Sequence, residues 1–452
     1  MLMYDIANYA IEERTRPLPA EVIHHAKRAV IDWCAATAQG SVIMPAAGLI
    51  KAFTEDVGRG EARLFPSGIP ATLRAAAIIN GAASHTVEFD DIFRDALYHP
   101  GASVISTALA AAEAEALSGE EFLRAIIVGY EISTRIALVM GRAHYKYWHS
   151  TATNGSFGAA AAAASVFKLD RDQFANAIAL AGTMAAGLQQ SLRYDSHAKP
   201  MHAAHVADSG VLSAQAAAQG VKGALNILEG EVGFGMAMSK DCDWSIAIAG
   251  LGEDYNISHT TFKNYGCCGH AFAAIDGALA LRDRHSIDPS GIENIRVDGY
   301  SATVNICGNN KHTTANEGKF SVPYLVATAL THGGASLEAF TEARLTDPNT
   351  TALATKVDVR LDHGIDAEFP SRRAARVNIK MRDGRFFEHY QPTRRGDPDS
   401  PLSNDELDNK FMELTRPVMG EKASVNLLEV CRSLDSLVSM REFPMGSALE
   451  AV

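Results

Sequence analysis

The stretch Thr153–Leu169, TNGSFGAAAAAASVFKL, decides how this chain is built. Alanine fills every position from Ala159 to Ala164, with Gly155, Ser156, Gly158 and Ser165 around the run. It reads as a helix whose small residues let neighbours approach closely on more than one side. The apolar part, SFGAAAAAASVF, is too short and too alanine-rich to cross a bilayer, so its role is packing.

The same texture extends outward over the first 260 or so residues. PAEVIHHAKRAVIDWCAATAQG places Pro19 near a helix start and Gly40 as a stop, with apolar residues at helical spacing between them. PATLRAAAIINGAASHTVEF, SVISTALAAAEAEALSG, GEEFLRAIIVGYEISTRIALVMG, DRDQFANAIALAGTMAAGL and PMHAAHVADSGVLSAQAAAQG repeat the pattern. After about residue 260 the texture changes. IENIRVDGYSATVNI, KVDVRLD and ARVNIKM alternate like strands, and Asp383-Gly384 between two such runs signals a hairpin. VPYLVATALTHG and SLEAFTEARL read as helices between them. A polar linker, QPTRRGDPDSPLSNDEL, leads to Ser403 and Glu406, which resemble a capping box opening a last pair of helices. The expected fold is mainly α: an all-helical domain of residues 1–260 with 398–452, and a smaller α+β domain of residues 261–397.

The chain has 452 residues, 47% of them apolar, and a net charge of −12. A substantial core can form, and the acidic balance argues against nucleic acid or an anionic membrane as partner. Six cysteines, scattered apart from the adjacent Cys267 and Cys268, do not make a disulfide scaffold in so long a chain, which points to a reduced setting. No basic region followed by a long apolar run opens the chain. A cytoplasmic location is the expectation.

Four clusters carry side chains fit for acid–base work. HTVEFDDIFRDALYHPGA holds Glu88, Asp90, Asp91 and His99, with Pro100-Gly101 fixing His99 at the mouth of a helix. HYKYWHSTATNGSFG holds Tyr145, His149 and Ser150 as the next helix begins. In YDSHAKPMHAAHVADSG, Lys199 stands beside the unpaired N–H groups of a helix start, a combination suited to a carboxylate. His202, His205 and Asp208 follow at steps of three, a spacing that also admits a metal. FKNYGCCGHAF holds Lys263, Cys268 and His270; adjacent cysteines are a poor chelate and an unusual redox pair. With no phosphate-binding glycine loop and no GxSxG, the clusters point to chemistry without metal or organic cofactor on a small polycarboxylate. A base takes a proton beside a carboxylate, and cations and helix mouths stabilise the enediolate.

Taken in order, HTVEFDD, HPGASV, HYKYWHSTATNGSFGAAAAAA, KPMHAAHVADSGVLSAQAAAQGVKG, LEGEVGFG, FKNYGCCGH and GKFSVPY resemble the MmgE/PrpD family over nearly the whole chain. The resemblance implies a large helical domain, an α+β lid, a homodimer, and a site between the domains that needs no cofactor. It also implies that His99, His149, Lys199 and Lys263 are functional, with Asp90 and Asp91 on the family's FDD pair. Glu88 replaces an aspartate of the decarboxylases, Ile92 a threonine, and Cys268 a histidine; Val304 falls near a tyrosine of their lid. Ser150 and Gly266 stand where many members have proline.

The expected activity is a hydro-lyase on a citrate-like or other hydroxy-acid substrate. His99 and His149 move protons, with Tyr145 and Asp91 in support. Lys199, a catalytic candidate, and Lys263 bind or polarise carboxylates, and Glu88, Asp90, Ser150, His202, Cys268 and His270 line the pocket. The alternatives are an epimerase of an imino- or hydroxy-dicarboxylate, or a decarboxylase. A helical interaction protein on a retired scaffold would have shed these charged residues, yet they stand.

Overall fold

The computed structural model describes residues 1–193 and 196–446. Its contacts divide the chain into two compact units. One comprises Met1–Phe262 together with the chain from Ser403 on, and the other Lys263–Leu402.

The first unit is built around the helix Ser150–Val166, in which every residue except Ser165 is buried. Helices Pro100–Ala114, Gly119–Tyr145, Arg171–Met184 and Ala198–Ala218 pack against it. Burying an alanine methyl is worth under about 1 kcal/mol, so this core depends on backbones lying close together rather than on large side chains. Gly210 makes the point: a Cβ there would stand 2.4 Å from the Cβ of Ala159. Capping boxes at Ser118 and Asp170 fix the starts of two of these helices.

Two sequence expectations are corrected here. Helix Ala20–Ser41 runs through Gly40, and Pro19 precedes it as the N-cap residue. Gly40 is no stop: a side chain there would strike the backbone of Ala83, so the glycine sets the approach of helix Leu73–Ser84. The unit also contains an antiparallel pair of strands, Val57–Leu64 with Ile69–Ala71, which alanine-dominated patterning hid. The capping box at Ser403 opens helix Asn404–Met419, which packs on Ala20–Ser41. No single helix among the described residues is long and apolar enough to cross a membrane.

The second unit carries a four-stranded sheet in the order Val357–Leu361, Ile292–Gly299, Ala375–Met381, Phe386–Gln391. The first pair is parallel and the others antiparallel, with Gly384 at φ 91° in the expected hairpin. Helices Phe272–His285 and Val322–His332 share its core. The alternation read from Ile292 to Ile306 ends early. The chain turns at Tyr300 into helix Ser301–Cys307, where the Ser301 N–H donates to Asp366 Oδ1 at 2.8 Å and satisfies an orphan helix-start group.

Candidate active site

The acidic segment after helix Leu73–Ser84 is held from both sides. Ile92 and Thr261 exchange backbone hydrogen bonds of 2.9 and 2.8 Å, and Phe93 pairs with Tyr98. The Lys410 ammonium, on the returning C-terminal helix, donates to the Phe89 carbonyl at 2.7 Å and to Asp32 at 2.5 Å. Glu88 adopts φ 61°, a left-handed conformation that costs a non-glycine residue about 1–2 kcal/mol. Together these contacts turn the chain so that His99 becomes the N-cap of helix Pro100–Ala114.

The two adjacent aspartates do different work. Asp91 accepts from the Tyr130 hydroxyl at 2.7 Å and from the Gly101 N–H at 3.1 Å, which latches the helix mouth. Burial, reinforced by Asp32, pushes its pKa well above the ordinary carboxylate range. Asp90 has the opposite balance. Burial opposes its charge, but His85 and His99 outweigh burial and hold it well below that range. Asp90 Oδ2 lies 2.6 Å from His85 Nδ1 and 3.0 Å from His99 Nδ1. An ionised carboxylate only accepts, so His85 presents Nδ1–H to it, while His99 Nδ1 stands at ion-pair distance from the same oxygen.

A second histidine pair lies against the first. The His149 ring stacks on His85, with centroids 5.6 Å apart and 17° between planes. His149 Nδ1 is 3.0 Å from His202 Nδ1. One of the two must donate and the other accept, so they cannot both be imidazolium. Burial, then the charges of His85 and Lys199, drives His149 well below its ordinary value. Burial and His85 push His202 down to about 4. His149 caps helix Ser150–Val166, and its N–H donates to the Gly187 carbonyl at 2.9 Å. Lys199, in the first turn of helix Ala198–Ala218, forms an ion pair with Glu88.

The structure thus brings Glu88, Asp90, His99, His149, Lys199 and His202 into one cluster within the first unit. Asp91 supports it from behind, and Ser150 is buried at the start of its helix. Tyr145 ends helix Gly119–Tyr145, where its carbonyl accepts from Gln189. The metal spacing of His202, His205 and Asp208 dissolves. His205 Nε2 turns to the Met184 carbonyl, and Asp208 forms two hydrogen bonds with Arg74. The trio His85, Asp90 and His99 has metal-ligating atoms within 4.8 Å of one another. Its 2.6 Å His85–Asp90 contact is hydrogen-bonding distance. Two ligands about 2.0–2.1 Å from one tetrahedral zinc would stand farther apart, so the spacing suits proton sharing better than a metal.

Lys263, Cys268 and His270 belong to the second unit. There His270 Nδ1 meets the Tyr300 hydroxyl at 2.9 Å, and Tyr300 stacks on Phe369 with centroids 4.4 Å apart. Sequence reasoning quoted His85 but gave it no role, and it passed over Tyr300. A histidine at the end of a helix, five positions before a buried aspartate, was the available signal for His85. Tyr300 gave none, because its partners come from distant parts of the chain.

Comparison with known proteins gives two family matches. Residues 4–247 match the MmgE/PrpD N-terminal domain and residues 265–436 the MmgE/PrpD C-terminal domain. A cis-aconitate decarboxylase-like protein of Aspergillus oryzae is 24% identical over 97% of this chain and 95% of its own length. The cis-aconitate decarboxylase of Aspergillus terreus is 25% identical over 96% of this chain and 94% of its own length. The human cis-aconitate decarboxylase is 25% identical over 93% and 89%.

Proposed function

The chain belongs to the MmgE/PrpD family, and from that premise we propose that it is an acid–base enzyme acting on a small polycarboxylate. The observation that carries the reading is the contrast between two buried histidines. His99 is backed by an ionised carboxylate, and His149 is held neutral. The two histidines thus stand in different electrostatic settings, and that difference assigns the base and the acid. His149 takes the proton beside a substrate carboxylate. Lys199, set in the first turn of its helix, stabilises the enediolate charge that follows. His99, set against the Asp90 carboxylate, gives a proton to the departing hydroxyl. This sequence is the elimination of water from a citrate-like hydroxy acid.

The names of the relatives favour a second reading, decarboxylation. The same cation would hold the carboxylate beside the breaking bond, and a histidine would deliver the proton to carbon. Glu88, Ile92 and Cys268 depart from the decarboxylases, which is why dehydration leads.

The deciding experiment is incubation with a panel of di- and tricarboxylates in deuterated water. New alkene absorbance without gas release supports dehydration, and release of carbon dioxide supports decarboxylation. Deuterium at carbon without net product means epimerisation. No exchange and no turnover across the panel overturns the reading.

A further inference from the structure

The end of helix Leu73–Ser84 is pinned between the two helices whose first turns carry His99 and Lys199. Ser84 Oγ lies 2.9 Å from the Gly81 carbonyl and 3.3 Å from the Ala102 carbonyl, which ties it to helix Pro100–Ala114. On the other side a Cβ at Gly81 would stand 3.0 Å from the Ala203 carbonyl oxygen, so helix Ala198–Ala218 passes at close range. His85 is the next residue. It is the C-cap of the helix, its N–H donates to the Ala82 carbonyl at 3.3 Å, and its side chain has no exposed surface.

Three contacts radiate from this one imidazole. Its Nδ1–H donates to Asp90 Oδ2 at 2.6 Å. Its ring stands edge-on to His99, with centroids 4.8 Å apart and 65° between planes. Its face lies against His149, with centroids 5.6 Å apart and 17° between planes. The Asp90 carboxylate depends on the first contact. Its other oxygen, Oδ1, is buried and has no hydrogen-bond partner among the described residues, so the group is held through Oδ2. Of the two imidazoles at that oxygen His85 is the nearer, and a hydrogen bond to an ionised acceptor is strong as well as directional. Without it only His99 would oppose rotation of the carboxylate.

We propose that His85 is a positioning residue: its Nδ1–H holds the Asp90 carboxylate toward His99, its ring face holds His149, and one imidazole so keeps the two proton-transfer histidines in register. The inference rests on the acid–base reading above. A fully buried ring touches no substrate, so His85 acts only through Asp90, His99 and His149. A residue that merely filled the core would stabilise the fold without needing a donor at Nδ1.

The first test needs no substrate. The full-length protein, isotope-labelled at its histidines, is studied by proton NMR. A short bond to a carboxylate moves the Nδ1 proton far downfield of other imidazole protons. That resonance is expected in the wild type and should vanish in both His85→Phe and Asp90→Asn. Its absence from the wild type, or its survival in Asp90→Asn, overturns the proposal.

The second test is kinetic, on whichever carboxylate of the panel is turned over. His85→Phe keeps a ring against His149 and removes the donor. Its kcat should fall about 10²-fold, the cost of a misplaced catalytic group, while KM stays within about twofold. His85→Asn returns an N–H donor without the ring and should regain part of that loss. His85→Ala keeps neither contact and should be the slowest. A wild-type kcat in His85→Phe, or equal losses in all three variants, overturns the proposal. Thermal denaturation confirms that the variants compared are folded, and the wild-type spectrum stands without any of them. The two failures are distinguishable: no turnover by the wild type counts against the acid–base reading, and a missing downfield proton counts against the role of His85.

Discussion

His99 Nδ1 and Asp90 Oδ2 stand 3.0 Å apart, and the same oxygen is 2.6 Å from His85 Nδ1. One buried carboxylate thus orients two imidazoles. Asp90→Asn keeps the shape but removes the charge, and its amide end can donate where the carboxylate only accepted. Proton exchange on substrate should fall by about 10²–10⁴, the range for loss of a general acid or base. Measuring deuterium incorporation in the variant checks this, and near-wild-type exchange would remove Asp90 from the mechanism.

Lys199 and Glu88 form an ion pair with both side chains largely buried. Lys199→Ala should lower turnover by about 10²–10³, as for removal of one donor to a developing anion. Glu88→Gln acts only through Lys199, so its expected loss is smaller, about tenfold, or 1.4 kcal/mol. Turnover at saturating substrate in both variants tests the order. A larger effect from Glu88→Gln would mean that Glu88 itself meets the substrate.

Burial holds two further groups neutral besides His149. His144 and His202 are each pushed down to about 4. An imidazole whose folded pKa lies below its unfolded value of about 6.5 contributes stability above that value. The contribution is lost as pH falls from about 6.5 toward about 4, because only the unfolded chain gains the proton. The melting temperature should therefore drop across that window. His144 meets Thr153 Oγ1 at 2.7 Å and the Met238 carbonyl at 3.1 Å, contacts a glutamine can partly replace. His144→Gln should show a shallower slope between pH 6 and 5 by differential scanning fluorimetry, and an unchanged slope would contradict the assignment.

Gly101 sits where a Cβ would lie 2.8 Å from both Asp91 Oδ1 and the Tyr130 hydroxyl. Gly101→Ala should destabilise by about 1–3 kcal/mol through overpacking and should displace the helix mouth that carries His99. Thermal denaturation gives the stability change, and the deuterium assay gives the activity change. A variant as stable and as active as wild type would show that the latch tolerates the extra methyl.

Much of this architecture was legible in local sequence. Alanine-rich periodicity marked the helices, Asp383-Gly384 the hairpin, and Ser403 with Glu406 the last capping box, because each is a short-range preference. The strand pair Val57–Leu64 with Ile69–Ala71 and the helix Ser301–Cys307 were not legible. The first lies within a chain dominated by helical texture, and the second depends on Asp366, far along the chain.

The candidate site divides in the same way. By itself the sequence determined which chemistry was available: histidines, carboxylates and a lysine placed at helix starts by Pro100, Ser150 and Pro200. Only the tertiary structure decided what each group does. It made Asp90 an ionised bridge and Asp91 a buried latch, although the two are neighbours in the chain with identical side chains. It drew His85 into the site and turned His205 and Asp208 out of it. The physical reason is that charge state and partner depend on burial and on groups brought close by folding, and neither is a property of local sequence.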